Sequence, residues 1–243
     1  MLANLQDYML YNNHLIHDYV NVSIKNAKSS LKNTTRSDPN TPCKIYYPQV
    51  DDSLFWCFFI ILNGFHEFQM VDKNIFSIEN TFKINAVHKM RENKSLLKSA
   101  KLKRCDVEGE LGGGSNLSII SLEALCRVYN INVMYIWDNK YYEIISDEEQ
   151  EMNLIIQSPE STSSRKIFGI PLWDNKSHDE KQQIISHYSK CWKVDNPFKI
   201  LKNISYYKLA ALQDICNRLH IPLDVDGKKK TKKMLYENIL HIL

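Results

Sequence analysis

The sequence predicts an α+β fold: a mixed helical body carrying a β-hairpin or small sheet, followed by a small all-α C-terminal module. Three observations lead there. Ile131–Trp137 alternates at period two, Asp138-Asn139 is a turn pair, and Tyr141–Ile145 supplies a return strand. Leu54–Leu62 is an unbroken run of nine apolar residues, a helix greasy on every side that belongs at the centre of a core. From Ser205 onward, apolar residues recur at helical spacing on both sides of a lysine-rich connection.

The elements follow in order. Leu2, Leu5, Met9, Ile16, Tyr19 and Val20 suit an amphipathic N-terminal helix over residues 1–22. Residues 23–43, rich in Ser, Asn, Thr and Lys with Pro39 and Pro42, are too polar to fold alone and predict a flexible linker. The body spans 44–198. Asp52 or Ser53 can cap its central helix, and Asn63-Gly64 closes that helix because glycine takes a positive-φ exit without a Cβ penalty. A lysine-dense helical stretch, Thr81–Lys103, precedes the break at Gly112–Gly114. A helix is expected over Leu117–Tyr129, with Ser121 as its cap, ahead of the hairpin. Further strands are expected at Asn153–Gln157 and Lys166–Ile170, and a surface helix at Ser177–Tyr188. Asp195-Asn196-Pro197 opens the connection to a module over 199–243.

The net charge of +3 is unevenly placed. From Ile204 onward there are six Lys and one Arg against three Asp and one Glu, which is +3, so the rest of the chain is neutral overall. A basic appendage on a neutral body is the electrostatic footprint of a nucleic-acid-binding module, although a lysine run can also be only a solvated face. In the module, Ser205 precedes an apolar face of Leu209, Leu212, Ile215, Cys216 and Leu219. Ile221-Pro222-Leu223 ends that helix, and Met234, Leu235, Ile239, Leu240 and Leu243 form a second face. Between them lie Asp224-Val225-Asp226-Gly227 and then Lys228, Lys229, Lys230, Lys232 and Lys233. These lysines, with Arg218, are the candidate nucleic-acid contacts. Ammonium groups beside a helix N-terminus favour phosphate, and without clustered Arg, Asn or Gln to read base edges the binding should be largely independent of sequence. Leu209 and Leu212, the Gly227-Lys228-Lys229 step, and Leu235 with Ile239 resemble the SAP domain over essentially the whole module. The resemblance implies DNA, or alternatively RNA, as partner. The acidic Asp224-Val225-Asp226 connection departs from that pattern and leaves room for a viral protein partner.

Cys57 stands near the start of the central helix behind Gln49, Asp51 and Asp52. That segment, with the later helix and hairpin, resembles papain-like and OTU-type cysteine proteases. The resemblance implies a derived papain-like body with Cys57 as nucleophile and Gln49 assisting an oxyanion. Histidine is lacking where those families carry it, since Tyr141-Tyr142 and Arg165–Phe168 contain none and His178 and His187 fall on the expected surface helix. A non-catalytic body is therefore the expectation, with Cys57 as a small buried hydrophobe and a cysteine protease or deubiquitinase as the alternative.

Other chemistry is thin. Gly112–Gly114 lacks the Gly-Lys-Ser/Thr ending of a phosphate loop, and the six cysteines show no CxxC spacing, so neither a nucleotide cofactor nor a zinc centre is expected. His14 and His17 lack a third ligand, and Asp147–Glu151 reads as a solvated acidic loop. No apolar run reaches the eighteen residues of a membrane span, and Met1–Tyr11 lacks the pattern of a signal peptide, so reduced cysteines and no membrane insertion are expected. Lys outnumbers Arg 25 to 6, as in chains encoded by AT-rich genomes. Together with Ser53–Cys57 and the SAP-like tail, the chain resembles proteins of nucleocytoplasmic large DNA viruses. That resemblance implies the host cytoplasm, at viral factories, or the virion as its setting, and adds a structural virion protein as a further alternative.

Overall fold

The computed structural model describes residues 35–36, 43–71, 74–114, 116–162, 165–173, 177–225 and 227–243. The helix expected over 1–22 and most of the linker expected over 23–43 lie outside them. Within that linker Thr35–Arg36 forms a short strand, β1, paired antiparallel with β2 (Ile45–Tyr46).

The body is α+β. Its central helix, α1 (Ser53–Asn63), starts where the sequence places a cap: Asp52 Oδ1 accepts the Phe55 amide at 3.1 Å. It stops at Gly64, whose φ of +92° is open to glycine and strained for other residues. Eight consecutive residues, Ser53–Ile60, are buried, which only a helix enclosed on every side allows. Four helices follow, α2 (Phe65–Met70), α3 (Ile75–Glu92), α4 (Lys94–Ser99) and α5 (Arg104–Gly112), of which α3 and α4 divide the stretch expected over Thr81–Lys103. Helix α6 (Ile119–Tyr129) falls within the expected Leu117–Tyr129, but Ser118 rather than Ser121 accepts the capping amide. Ser121 lies inside the helix, fully buried.

Strand β3 (Asn132–Trp137) turns through Asp138 and Asn139, both at positive φ, into β4 (Lys140–Ile144), the backbone of a type I′ hairpin. With β5 (Met152–Gln157), β6 (Phe168–Pro171) and β7 (Trp192–Lys193), these strands complete a seven-stranded mixed sheet of order β1-β2-β6-β5-β3-β4-β7. The β3–β5 and β4–β7 pairs are parallel and the others antiparallel. Alternation along β3 divides residues between two cores rather than between core and water. Val133 and Tyr135 pack with α1 and α6, while Met134 and Ile136 pack with Ile184 and Tyr188 of α7 (His178–Tyr188), a helix that opens with a capping box at Ser177. A sheet covered on both faces explains why its strands read as nearly continuous apolar runs.

The tail comprises a 3₁₀ turn (Ile204–Tyr206), α8 (Leu209–Arg218), a hairpin of β8 (Asp224–Val225) and β9 (Lys228–Lys229), and α9 (Lys232–Ile242). The hairpin adds a small β element to a module expected to be all-α. Ser205, which precedes the apolar face of α8 in sequence, belongs to the 3₁₀ turn, its amide donating to Asn203 Oδ1. Leu212, Ile215, Cys216 and Leu219 meet Leu235 and Ile239, and the same cluster takes in Trp192 and Val194 from the sheet edge. No helix among the described residues is long and apolar enough to cross a membrane.

Candidate nucleic-acid interface

The hairpin fixes where the tail lysines stand. Gly227, at φ +74°, turns the chain so that Val225 pairs with Lys228 and Asp224 with Lys229. Lys228 and Lys229 are exposed, although Asp224 directly across from Lys229 offsets part of its charge. Lys230 behaves differently: it is buried, its amide donates to the Leu223 carbonyl at 2.9 Å, and its Nζ donates to the Pro222 carbonyl at 2.8 Å. Its ammonium closes the hairpin against the end of α8 rather than reaching into solvent. Thr231 then caps α9, accepting the Met234 amide at 3.4 Å, so Lys232 and Lys233 occupy the first helical turn. No acidic residue shares that turn. Lys233 is 79 % exposed and lies 3.9 Å from Glu237 one turn on, a pair too open to neutralise it.

Arg218 is also committed to structure. At the end of α8 its Nε pairs with Asp214 at 3.0 Å, and its Nη1 donates to the Cys191 carbonyl at 3.1 Å, tying the tail to the segment before β7. Of the six side chains read from sequence, Lys228, Lys229, Lys232 and Lys233 share one end of the module, and Lys230 and Arg218 are held by carbonyl groups. Sequence reading cannot separate these roles, since the distinction depends on which carbonyl lies within reach of each head group.

Cys57 sits one turn into α1 with no exposed surface. Burial pushes its thiol well above the ordinary range, and the nearby Asp52 carboxylate adds to the shift. A nucleophilic cysteine needs the opposite, a depressed pKa and an adjacent base. All the described histidines, at 66, 88, 178, 187, 220 and 241, are exposed, and none bonds to the buried sulfur. Gln49 is exposed and folds back, its Nε2 donating to the Tyr47 carbonyl at 3.1 Å, so it is not brought to Cys57. Among the described residues no three His, Cys, Asp or Glu side chains group as metal ligands.

The chain matches no family model, no curated protein and no solved structure.

Around the start of α1 lies a polar cluster that sequence reading missed. Lys83 of α3, 1 % exposed, reaches Asp52 Oδ2 at 2.8 Å and Glu79 Oε1 at 2.7 Å. Asp52 Oδ2 also accepts the Leu117 amide at 2.9 Å, and Glu79 Oε2 accepts Trp56 Nε1 at 3.0 Å. Ser53 Oγ accepts the Phe168 amide at 3.0 Å, joining the helix start to β6. These partners are backbone amides, oppositely charged side chains and the Trp56 indole, so the cluster clamps α1, α3, the approach to α6 and β6 together. The one sequence signal is the Glu79–Lys83 spacing of four, which suits an ion pair on a helix.

Proposed function

We propose that this chain is a nucleic-acid-associated protein whose α+β body is non-catalytic and whose tail tethers it to duplex DNA. Lys228, Lys229, Lys232 and Lys233 grip the phosphate backbone. The observation that carries the reading is the first turn of α9, where two lysines and no acidic residue stand at the positive end of an eleven-residue helix. Cations at a helix N-terminus are unfavourable by a few tenths of a kcal/mol to about 1 kcal/mol each when nothing compensates them. A phosphate seated there removes the conflict, accepts free amides, and releases counterions from the nucleic acid. The burial of Cys57 supports the non-catalytic half of the proposal. The lysine-rich composition and SAP-like tail support a viral setting, in host cytoplasm or virion.

Anisotropy titration of the full chain with labelled duplexes of unrelated sequence tests this. Non-specific affinity, on the order of 10⁻⁴ to 10⁻⁶ M at physiological salt, is expected. Replacing Lys228, Lys229, Lys232 and Lys233 by Ala should weaken all duplexes alike and flatten the log–log salt slope by about 3 to 4, near 0.9 per phosphate. Unchanged binding by that variant would remove the tail from the interface, and a preference for single-stranded RNA would redirect the partner.

A further inference from the structure

Overall neutrality of the body conceals a second basic surface. Between Lys89 and Arg104 there are seven basic residues and one acidic residue, Glu92, a local charge of +6 that exceeds the +3 of the whole tail. The fold gathers these charges. Helix α3 ends at Glu92, α4 spans Lys94–Ser99, Lys101 turns the chain at φ +57°, and α5 starts at Arg104. Met90, Leu97 and Val107 anchor the three helices in the core, which leaves Lys94, Lys98, Lys101 and Lys103 exposed. Lys94 and Lys98 are one helical turn apart, about 6 Å along the axis. None of the four makes an ion pair or side-chain hydrogen bond among the described residues.

A carboxylate that reaches this segment is already committed. Glu108 takes Arg91 Nη2 at 3.1 Å and Arg104 Nε at 3.2 Å. The hydrogen bond from Arg91 holds its carboxyl below the ordinary range, and the charges of Arg104 and Lys94 lower it further. The pairing draws the end of α3 to the start of α5, and the intervening lysines form a ridge without direct ion pairs among the described residues. Like charges so concentrated repel one another, and a polyanion relieves that repulsion.

We infer that Lys94, Lys98, Lys101 and Lys103 form a second nucleic-acid contact on the body, separate from the tail and directed at the phosphate backbone. The chemistry favours nucleic acid over an anionic membrane. Interfacial binding needs an apolar face to insert, and between residues 89 and 104 the one exposed large apolar side chain is Leu96, at 40 %. The four exposed lysines are point charges without the planar fork of arginine that reads base edges, so their contact is independent of sequence. This goes beyond the tail reading and stands without it.

The test uses the full chain, a labelled short duplex and a salt series, with three variants compared at equal helical content. In the body variant Lys94, Lys98, Lys101 and Lys103 become Ala; in the tail variant Lys228, Lys229, Lys232 and Lys233 do; in the control, exposed Lys44, Lys166, Lys190 and Lys199 do. The body variant should bind at least about tenfold more weakly at low salt, with a slope flattened by about 3 to 4, while the control changes by less than about threefold. A body variant that binds like wild type overturns the inference, whatever the tail variant does. Equal losses in body variant and control overturn it too, since the effect would be net charge alone. Loss in the body variant with none in the tail variant supports it and sinks the tail reading instead. A body variant that keeps DNA affinity but loses binding to phosphatidylserine vesicles would assign the surface to membrane and refute the nucleic-acid partner.

Discussion

Replacing Lys83 by Met removes the ammonium group that holds the Asp52–Glu79 cluster while keeping most of the side-chain volume. The two carboxylates then differ in fate. Glu79, 18 % exposed, can take on some water and keeps its bond from Trp56. Asp52, 4 % exposed, cannot, and is left as a buried anion on the amides of Phe55 and Leu117. Breaking one partner of a buried ion pair costs about 3–5 kcal/mol. The two remaining amides place this case near the lower end, at about 3 kcal/mol. With a urea m-value of about 3 kcal/mol/M, the unfolding midpoint should fall by about 1 M. Burial lowers the Lys83 pKa, but hydrogen bonds to Asp52 and Glu79 outweigh it and the net shift is upward. The stabilisation is therefore complete below the unfolded-state value of about 10.4 and is lost as pH rises through the higher folded-state value, so the deficit should hold across neutral pH. Adding Asp52→Asn should recover part of the loss, because a neutral amide still offers one acceptor to the two backbone donors. A deficit below about 1 kcal/mol, or a double variant worse than the sum of the singles, would refute the clamp.

The remaining predictions concern buried groups. Mild alkylation of the native chain should label exposed Cys105 first and leave Cys57 and Cys126, whose thiol burial pushes upward, unmodified until unfolding; selective capture of Cys57 by a ubiquitin-based probe would overturn the non-catalytic reading. Lys140, 1 % exposed with Nζ 6.0 Å from the Trp137 ring centre, has its pKa lowered by burial, partly countered by Asp138. Lys140→Met should stabilise the fold by about 1 kcal/mol at neutral pH, a gain that shrinks as pH rises from the depressed folded value to about 10.4; calorimetry showing destabilisation would disprove it.

What the sequence made legible was local. Asp52 caps and Gly64 ends the central helix through interactions within one turn, and Asp138-Asn139 makes its hairpin with positive φ at adjacent residues. What was not legible came from contacts that only the folded chain brings together. Lys83 reads as one more solvated lysine until the fold brings Asp52, 31 positions upstream, to 2.8 Å. Lys230 looks equivalent to its neighbours until Pro222 offers a carbonyl. The pairing of β6 with β2 joins residues more than a hundred positions apart, which no periodicity encodes. Charge summed over the whole body cancels the basic ridge against acidic segments elsewhere, so the window over which charge is counted decides whether the ridge is seen.

The junction of tail and body bears on how the two proposed surfaces would act. Apolar faces of α8 and α9 meet each other as their spacing requires, yet their cluster also includes Trp192 and Val194, with Trp137 packed at its margin. A polar link runs the same way: Arg218 Nη1 donates to the Cys191 carbonyl. The tail therefore leans on the sheet edge rather than swinging from a free linker. Two weak phosphate-binding surfaces joined by packing present the second contact to a bound polyanion at high effective concentration, a gain of about 10²–10⁴ in avidity when both engage and none when geometry forbids it. If both surfaces hold one duplex, losing either set of lysines should cost nearly as much as losing both. If they hold separate duplexes, the losses should be independent and the chain should bridge two nucleic-acid segments.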